Sequence, residues 1–182
     1  RQEALEYYRN IQRHFNLNIH LYERVNSVQK QENGTFAIAS QKQDYTAKNV
    51  VIATGFYDIP IYIDVPGEDL PKVSHYYREA HEYAFKKVLV IGANNSSVDA
   101  ALECWQKGAE VTMVIRKGEI NDRVKYWIKP DVENRIAEGS IKAYFHSEVT
   151  AIHENSVDVK TPEGDISIEN DFVLAMTGYR PD

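Results

Sequence analysis

Apolar residues at Leu5, Tyr8, Ile11 and Phe15 recur at spacings of three and four, which lines them along one face of an α-helix. An amphipathic helix over residues 1–15 is predicted. After Asn16 the chain turns to short runs of β-formers: Ile19–Tyr22, Val25–Gln29 and Thr35–Ala39, with Asn33-Gly34 predicting a type I′ turn between the last two. Together these runs describe a small meander. The next run is continuously apolar at Val50-Val51-Ile52-Ala53 and ends in Thr54-Gly55, the pattern of a strand buried on both faces. Pro60, Pro66-Gly67 and Pro71 then disfavour both helix and central strand, so a domain crossing is expected there.

Beyond the crossing, strand and helix alternate. Lys87–Ile91 reads as a buried strand, Asn95–Lys107 as a helix with Val98, Ala101, Leu102 and Trp105 on one face, and Glu110–Ile115 as a second strand. Gly108 stands where a helix takes its left-handed terminal residue. A further helix is predicted from Pro130 through Val132 and Ile136 to Gly139, followed by a strand at Ile141–Phe145. Val149–His153, Ser156–Lys160 and Asp165–Ile168 form a second meander, and Phe172–Ala175 a last buried strand.

Composition narrows the field without choosing a function. A net charge of −6 argues against a surface built for nucleic acid, and no apolar run approaches the roughly 20 residues of a membrane span, so a soluble, cytoplasmic protein is expected. The single cysteine, Cys104, excludes an internal disulfide and any CxxC pair within these residues. The histidines lack zinc-ligand spacing, so no metal is expected. The chain begins at Arg1 and stops just after Thr177-Gly178-Tyr179-Arg180-Pro181, and a fragment or excised domain is the expectation.

The candidate chemistry centres on Val88-Leu89-Val90-Ile91-Gly92-Ala93-Asn94-Asn95-Ser96-Ser97, an apolar strand running through a glycine and a polar turn into a helix. Such a junction aims the first free N–H groups of the helix, and the positive end of its dipole, at one anion. Gly92 keeps the first position of a GxGxxG fingerprint, while Asn94 and Ser97 stand in for the second and third glycines, Asn tolerating left-handed backbone and Ser being small. About 20 residues on, where NAD-binding chains place Asp or Glu for the ribose hydroxyl, stand Arg116-Lys117, cations suited to a 2′-phosphate. NADPH is therefore expected over NADH, with Gly92, Asn94, Asn95, Ser96, Ser97, Arg116 and Lys117 as its site and Arg123 and Lys125 as additions to the basic patch.

The order of Val50–Gly55, the βαβ unit with Arg116-Lys117, and Val173–Pro181 resembles flavoproteins with two dinucleotide-binding domains, a plan shared by thioredoxin reductases and flavin-containing monooxygenases. The runs Val65–Tyr77, Asn95–Glu103 and Val124–Asp131 are similar to the YpdA-type bacillithiol-disulfide reductases over nearly the whole chain. The resemblance implies an α/β fold: a Rossmann-like NAD(P)-binding domain with a parallel sheet and a β-meander, inserted in a partial FAD-binding domain. Residues 1–71 would belong to the FAD domain, 72–176 to the NADPH domain and 177–182 to the return crossing, with Thr54, Gly55, Thr177 and Gly178 marking the crossings and adding to the cofactor-binding set. It further implies an NADPH- and FAD-dependent enzyme acting on a small-molecule disulfide, with homo-oligomers known in the family, and catalytic residues before Arg1. Thioredoxin reductases carry a CxxC ahead of the NADPH strand where this chain has Ser74-His75-Tyr76-Tyr77-Arg78-Glu79-Ala80-His81, which excludes thioredoxin reduction by that route.

Two alternatives stay open. One is a flavin-containing monooxygenase of the same fold, which would lack a cysteine in its flavin loop. The other is a non-catalytic NADP-sensing domain, favoured by the incomplete glycine pattern. Tyr7-Tyr8 and Tyr76-Tyr77 are expected to pack at domain faces, and His75 and His81 stay outside the catalytic set. On its own the chain is expected to bind NADPH weakly or moderately, bind FAD poorly and show no turnover.

Overall fold

The computed structural model describes residues 2–181 and divides into two compact units, Arg1–Ala53 and Thr54–Asp182. The first unit opens with α1 (Gln2–Phe15), followed by an antiparallel sheet in the order β1 (Val25–Lys30), β2 (Phe36–Ser40), β3 (Asp44–Ala47). The helix forms where its period predicts, but its apolar stripe stays open: Leu5, Tyr8 and Phe15 are 58%, 67% and 63% exposed.

Three expectations in this unit need correction. Ile19–Tyr22 is not a strand; Tyr22 takes φ 55°, outside the β region, and is fully exposed. The β1–β2 hairpin does not close through a type I′ turn. Only Gly34 has positive φ there, its N–H donates to the Gln31 carbonyl, and the Gln31 N–H to the Thr35 carbonyl, so Glu32 and Asn33 occupy an ordinary turn that Gly34 completes in left-handed conformation. The Asn33 carboxamide instead accepts the Thr35 N–H and hydroxyl. Finally, Asn49–Ala53 is neither a strand nor buried, with Val51 and Ile52 largely exposed. A strand requires a ladder partner, and no described strand pairs with this run.

The second unit is a three-layer α/β structure. Five parallel strands run in the order β5 (Val73–Ser74), β12 (Phe172–Ala175), β6 (Lys87–Ile91), β7 (Glu110–Val114), β8 (Lys142–Tyr144). Helices α2 (Asn95–Gln106) and α3 (Lys129–Ala137) cover one face. The antiparallel meander β9 (Glu148–Ile152), β10 (Ser156–Thr161), β11 (Gly164–Glu169) covers the other. The apolar runs become buried strands because both faces find a layer. Along β6, Val88 and Val90 pack with Val98, Ala101 and Cys104 of α2, while Leu89 and Ile91 pack with Ile152, Val157 and Val159 of the meander.

The predicted helix and strand boundaries hold within one or two residues in this unit. This unit also forms three short strands that the pattern does not announce, just as β3 goes unannounced in the first. One is the edge strand β5; the other two are β4 (Ile59–Pro60) and β13 (Tyr179–Arg180), which pair antiparallel with each other. Through that pair the residues from Thr54 onward join the second unit, so the compact units divide ahead of the Pro60–Pro71 passage. Among the described residues no helix is long and apolar enough to cross a membrane, and no cluster of His, Cys, Asp and Glu could hold a metal ion.

Candidate functional site

The strand order of the parallel sheet reverses between β6 and β12, since β7 and β8 build outward on one side of β6 and β12 and β5 lie on the other. Loops leaving adjacent strands in opposite directions open a crevice at the carboxyl ends of those strands. A cleft of about 440 Å³ lies there, lined by Gly92, Ala93 and Asn94 after β6, Ile115, Arg116 and Lys117 after β7, Ser147 and Glu148 after β8, and Met176 and Thr177 after β12.

Its floor requires a glycine. Gly92 has φ 123°, and a β-carbon there would lie 2.7 Å from the Met176 carbonyl oxygen and 3.3 Å from Ser97. Ser97 is fully buried beneath the turn, its hydroxyl donating to the Asn94 carbonyl at 2.8 Å, so a small residue there lets helix and strand approach closely. Helix α2 starts at the cleft with no acidic residue in its first turn, leaving its free N–H groups and dipole uncompensated. Asn94 departs from the sequence expectation: its backbone is extended (φ −100°, ψ −177°) rather than left-handed, because Gly92 alone supplies the tight turn.

The other predicted residues separate into those that face the cleft and those that do not. Arg116 and Lys117 are exposed along it, and neither makes an ion pair among the described residues. Lys125 does not extend this basic patch, because its ammonium is bound 2.9 Å from the Asp99 carboxylate. Arg123 is exposed but does not line the cleft. The Asn95 side chain points into its own fold: its amide donates to the Arg123 carbonyl and its oxygen accepts the Lys125 N–H, pinning the loop after β7 to the start of α2. Ser96 is half-buried in the first turn, and neither it nor Ser97 lines the cleft. Thr177 lines the cleft and donates its hydroxyl to the Ile61 carbonyl at 2.5 Å, while the Gly178 carbonyl accepts the Ile61 N–H. Thr54 and Gly55 are exposed and away from it.

A family model described as pyridine nucleotide-disulphide oxidoreductase matches residues 1–182. The chain belongs to that family. Among curated members, Bacilliredoxin reductase Bdr of Bacillus subtilis is 48% identical over the whole of this chain, which spans 56% of that protein. The structure of Bacillithiol Disulfide Reductase Bdr (YpdA) from Bacillus cereus superposes with a TM-score of 0.93 at 42% identity, covering all of this chain and 57% of that one. The thioredoxin reductase of T. acidophilum, at 23% identity, TM-score 0.66, 86% of this chain and 52% of that one, shares the fold. The chain thus spans a little over half the length of these two Bdr relatives.

Several residues lining the cleft carried no sequence signal. Asn121 comes from the loop after β7, where its N–H bonds the Ala93 carbonyl; Ser147 is buried, its N–H donating to Ile115. Ile61, Tyr62 and Ile63 arrive from a segment that the sequence marks only as Pro-rich. Glu148 adds one carboxylate to the lining. Cys104 is fully buried, and burial pushes its thiol up to about 12, the behaviour of a packing residue rather than a redox group. The neighbouring Tyr77 phenol is also raised, by burial and by its bond to the Glu103 carboxylate.

Proposed function

We propose that the cleft binds NADPH, and that the chain is the pyridine-nucleotide portion of an FAD-dependent enzyme that reduces the disulfide of a low-molecular-weight thiol, bacillithiol disulfide. The observation that carries the cofactor assignment is the pair of uncompensated cations, Arg116 and Lys117, at the carboxyl edge of β7 beside the Gly92–Asn94 turn. In this arrangement the pyrophosphate lies over β6 against the N-terminus of α2, and the adenosine 2′-phosphate lies toward β7 on Arg116 and Lys117. Asn94 faces the pyrophosphate, Ser96 adds its backbone in the first helical turn, and Asn95 and Ser97 shape the junction from behind.

In this proposal residues 72–176 are the NADPH domain, and residues 1–71 and 177–182 belong to the FAD-binding part, with Thr54-Gly55 and Thr177-Gly178 as the two crossings and as flavin neighbours. Bound NADPH would supply the hydride and FAD would pass the electrons on; this chain's own residues hold and orient the dinucleotide. Support for the disulfide substrate comes from the names of the Bdr relatives and from the absence of CxxC between Ser74 and His81, which leaves no protein-disulfide exchange centre at that position.

Calorimetric titration of NADPH and NADH against the wild-type and Arg116→Ala proteins tests the assignment. The substitution should weaken NADPH by about 1.5–3 kcal/mol, the scale of a hydrogen bond to a charged group, and leave NADH nearly unchanged. Equal losses for both nucleotides would overturn it.

A further inference from the structure

One wall of the cleft is a loop segment held at both its ends by hydrogen bonds. Ile61, Tyr62 and Ile63 line the cleft, Ile61 bonded to Thr177 and Gly178 after β12, while Arg116 and Lys117 follow β7 on the other side of β6. Two bonds tie this wall to the β12 side: Ile61 N–H to the Gly178 carbonyl at 3.0 Å, and the Thr177 hydroxyl to the Ile61 carbonyl. Its far end is fixed by a side chain. The two carboxylate oxygens of Glu68 accept the Ile63 N–H at 2.9 Å and the Asp64 N–H at 2.8 Å, and Asp64 itself sits at φ 57°.

That carboxylate is not a surface cap. The Glu68 side chain is only 9% exposed, and behind it His75 Nε2 lies 3.6 Å from Oε1 with its own side chain 11% exposed. Both ring nitrogens of His75 are buried without a hydrogen-bond partner, so Glu68 is the charged group they face. The imidazole in turn meets the Tyr62 ring edge-on at 4.8 Å, and the His75 carbonyl accepts the Tyr179 hydroxyl. A buried carboxylate is costly unless its acceptors are filled, and here they are filled by the backbone of the cleft wall itself. Tyr62 remains 54% exposed, its ring available to the cleft.

We propose that Tyr62 packs against the nicotinamide end of the bound dinucleotide, and that Glu68, backed by His75, is a positioning residue that fixes Tyr62 there. This rests on the NADPH assignment above, because the polarity of the cleft follows from it: 2′-phosphate toward β7, pyrophosphate over β6, nicotinamide toward β12 and the Tyr62 wall.

The test uses the full-length flavoprotein and two probes, NADPH and 2′-phospho-ADP-ribose, which has the same adenosine and phosphates but no nicotinamide. Tyr62→Ala and Glu68→Gln should each weaken NADPH about tenfold, slow flavin reduction at saturating NADPH, and leave 2′-phospho-ADP-ribose within about twofold of wild type. Tyr62→Phe, which keeps the ring, should restore NADPH binding. His75→Asn should shift NADPH in the same direction by a smaller factor, and it carries the positioning claim should Glu68→Gln fail to fold. Unchanged NADPH affinity, or equal weakening of both probes, in Tyr62→Ala and in whichever brace variant folds would overturn the inference. Arg116→Ala separates the two levels: it should weaken both probes, and if it weakens neither, the cleft assignment fails whatever Tyr62 does.

Discussion

In the second unit Leu89, Val90, Val98, Val157 and Leu174 are completely buried, whereas in the first no described residue from Glu3 to Ala53 reaches the buried class. Both units contain a helix with an apolar stripe and strands rich in β-formers. What separates them is the second layer. In residues 54–182 each face of the parallel sheet meets a stripe of matching period, α2 and α3 on one side and β9–β11 on the other. In the first unit α1 and the β1–β3 sheet form, yet Leu5, Tyr8 and Phe15 stay in the open. A periodic sequence therefore specifies an element, while burial depends on a partner layer that the element's own sequence does not name.

The contrast can be broken most sharply in the core. Leu174→Ala in β12 should destabilise the second unit by about 2–5 kcal/mol, read as a lower midpoint in chemical denaturation, since it removes a side chain packed on every side. Gly92→Ala should cost less, about 1–3 kcal/mol in the same measurement, because a β-carbon must displace the Met176 carbonyl and accept a left-handed φ. Leu5→Ser on α1 should change stability by no more than about 0.5 kcal/mol, as it uncovers nothing already covered. A loss at Leu5 matching that at Leu174 would show that the α1 stripe is buried in solution and would erase the distinction.

Legibility in the sequence follows the same line. The strands Lys87–Ile91 and Phe172–Ala175 announce themselves as continuous apolar runs because both faces are covered, and Gly92 and Arg116-Lys117 follow from position along a βαβ unit. Val50–Ala53 looks the same by composition and misleads, because a ladder partner cannot be read from one run. β3 is hidden in Asp44-Tyr45-Thr46-Ala47, where one face is polar, and β4, β5 and β13 are two-residue pairings with no period at all. The Asn95 side chain holds the loop after β7 to the start of α2, a long-range relation that the local loop pattern does not spell out. Glu68 and Tyr62 escape because their relation crosses the Pro66-Gly67 turn, and the only trace is a carboxylate just after a Pro-Gly pair.

The pairing of Tyr179 with Pro60 and Arg180 with Ile59 sets the incoming and outgoing chain of the second unit side by side. A module whose two ends meet can be spliced into a loop of another protein without stretching that loop, and can be removed without leaving a gap. The two-residue ribbon, too short to register as secondary structure by pattern, is what brings those two ends of the unit together.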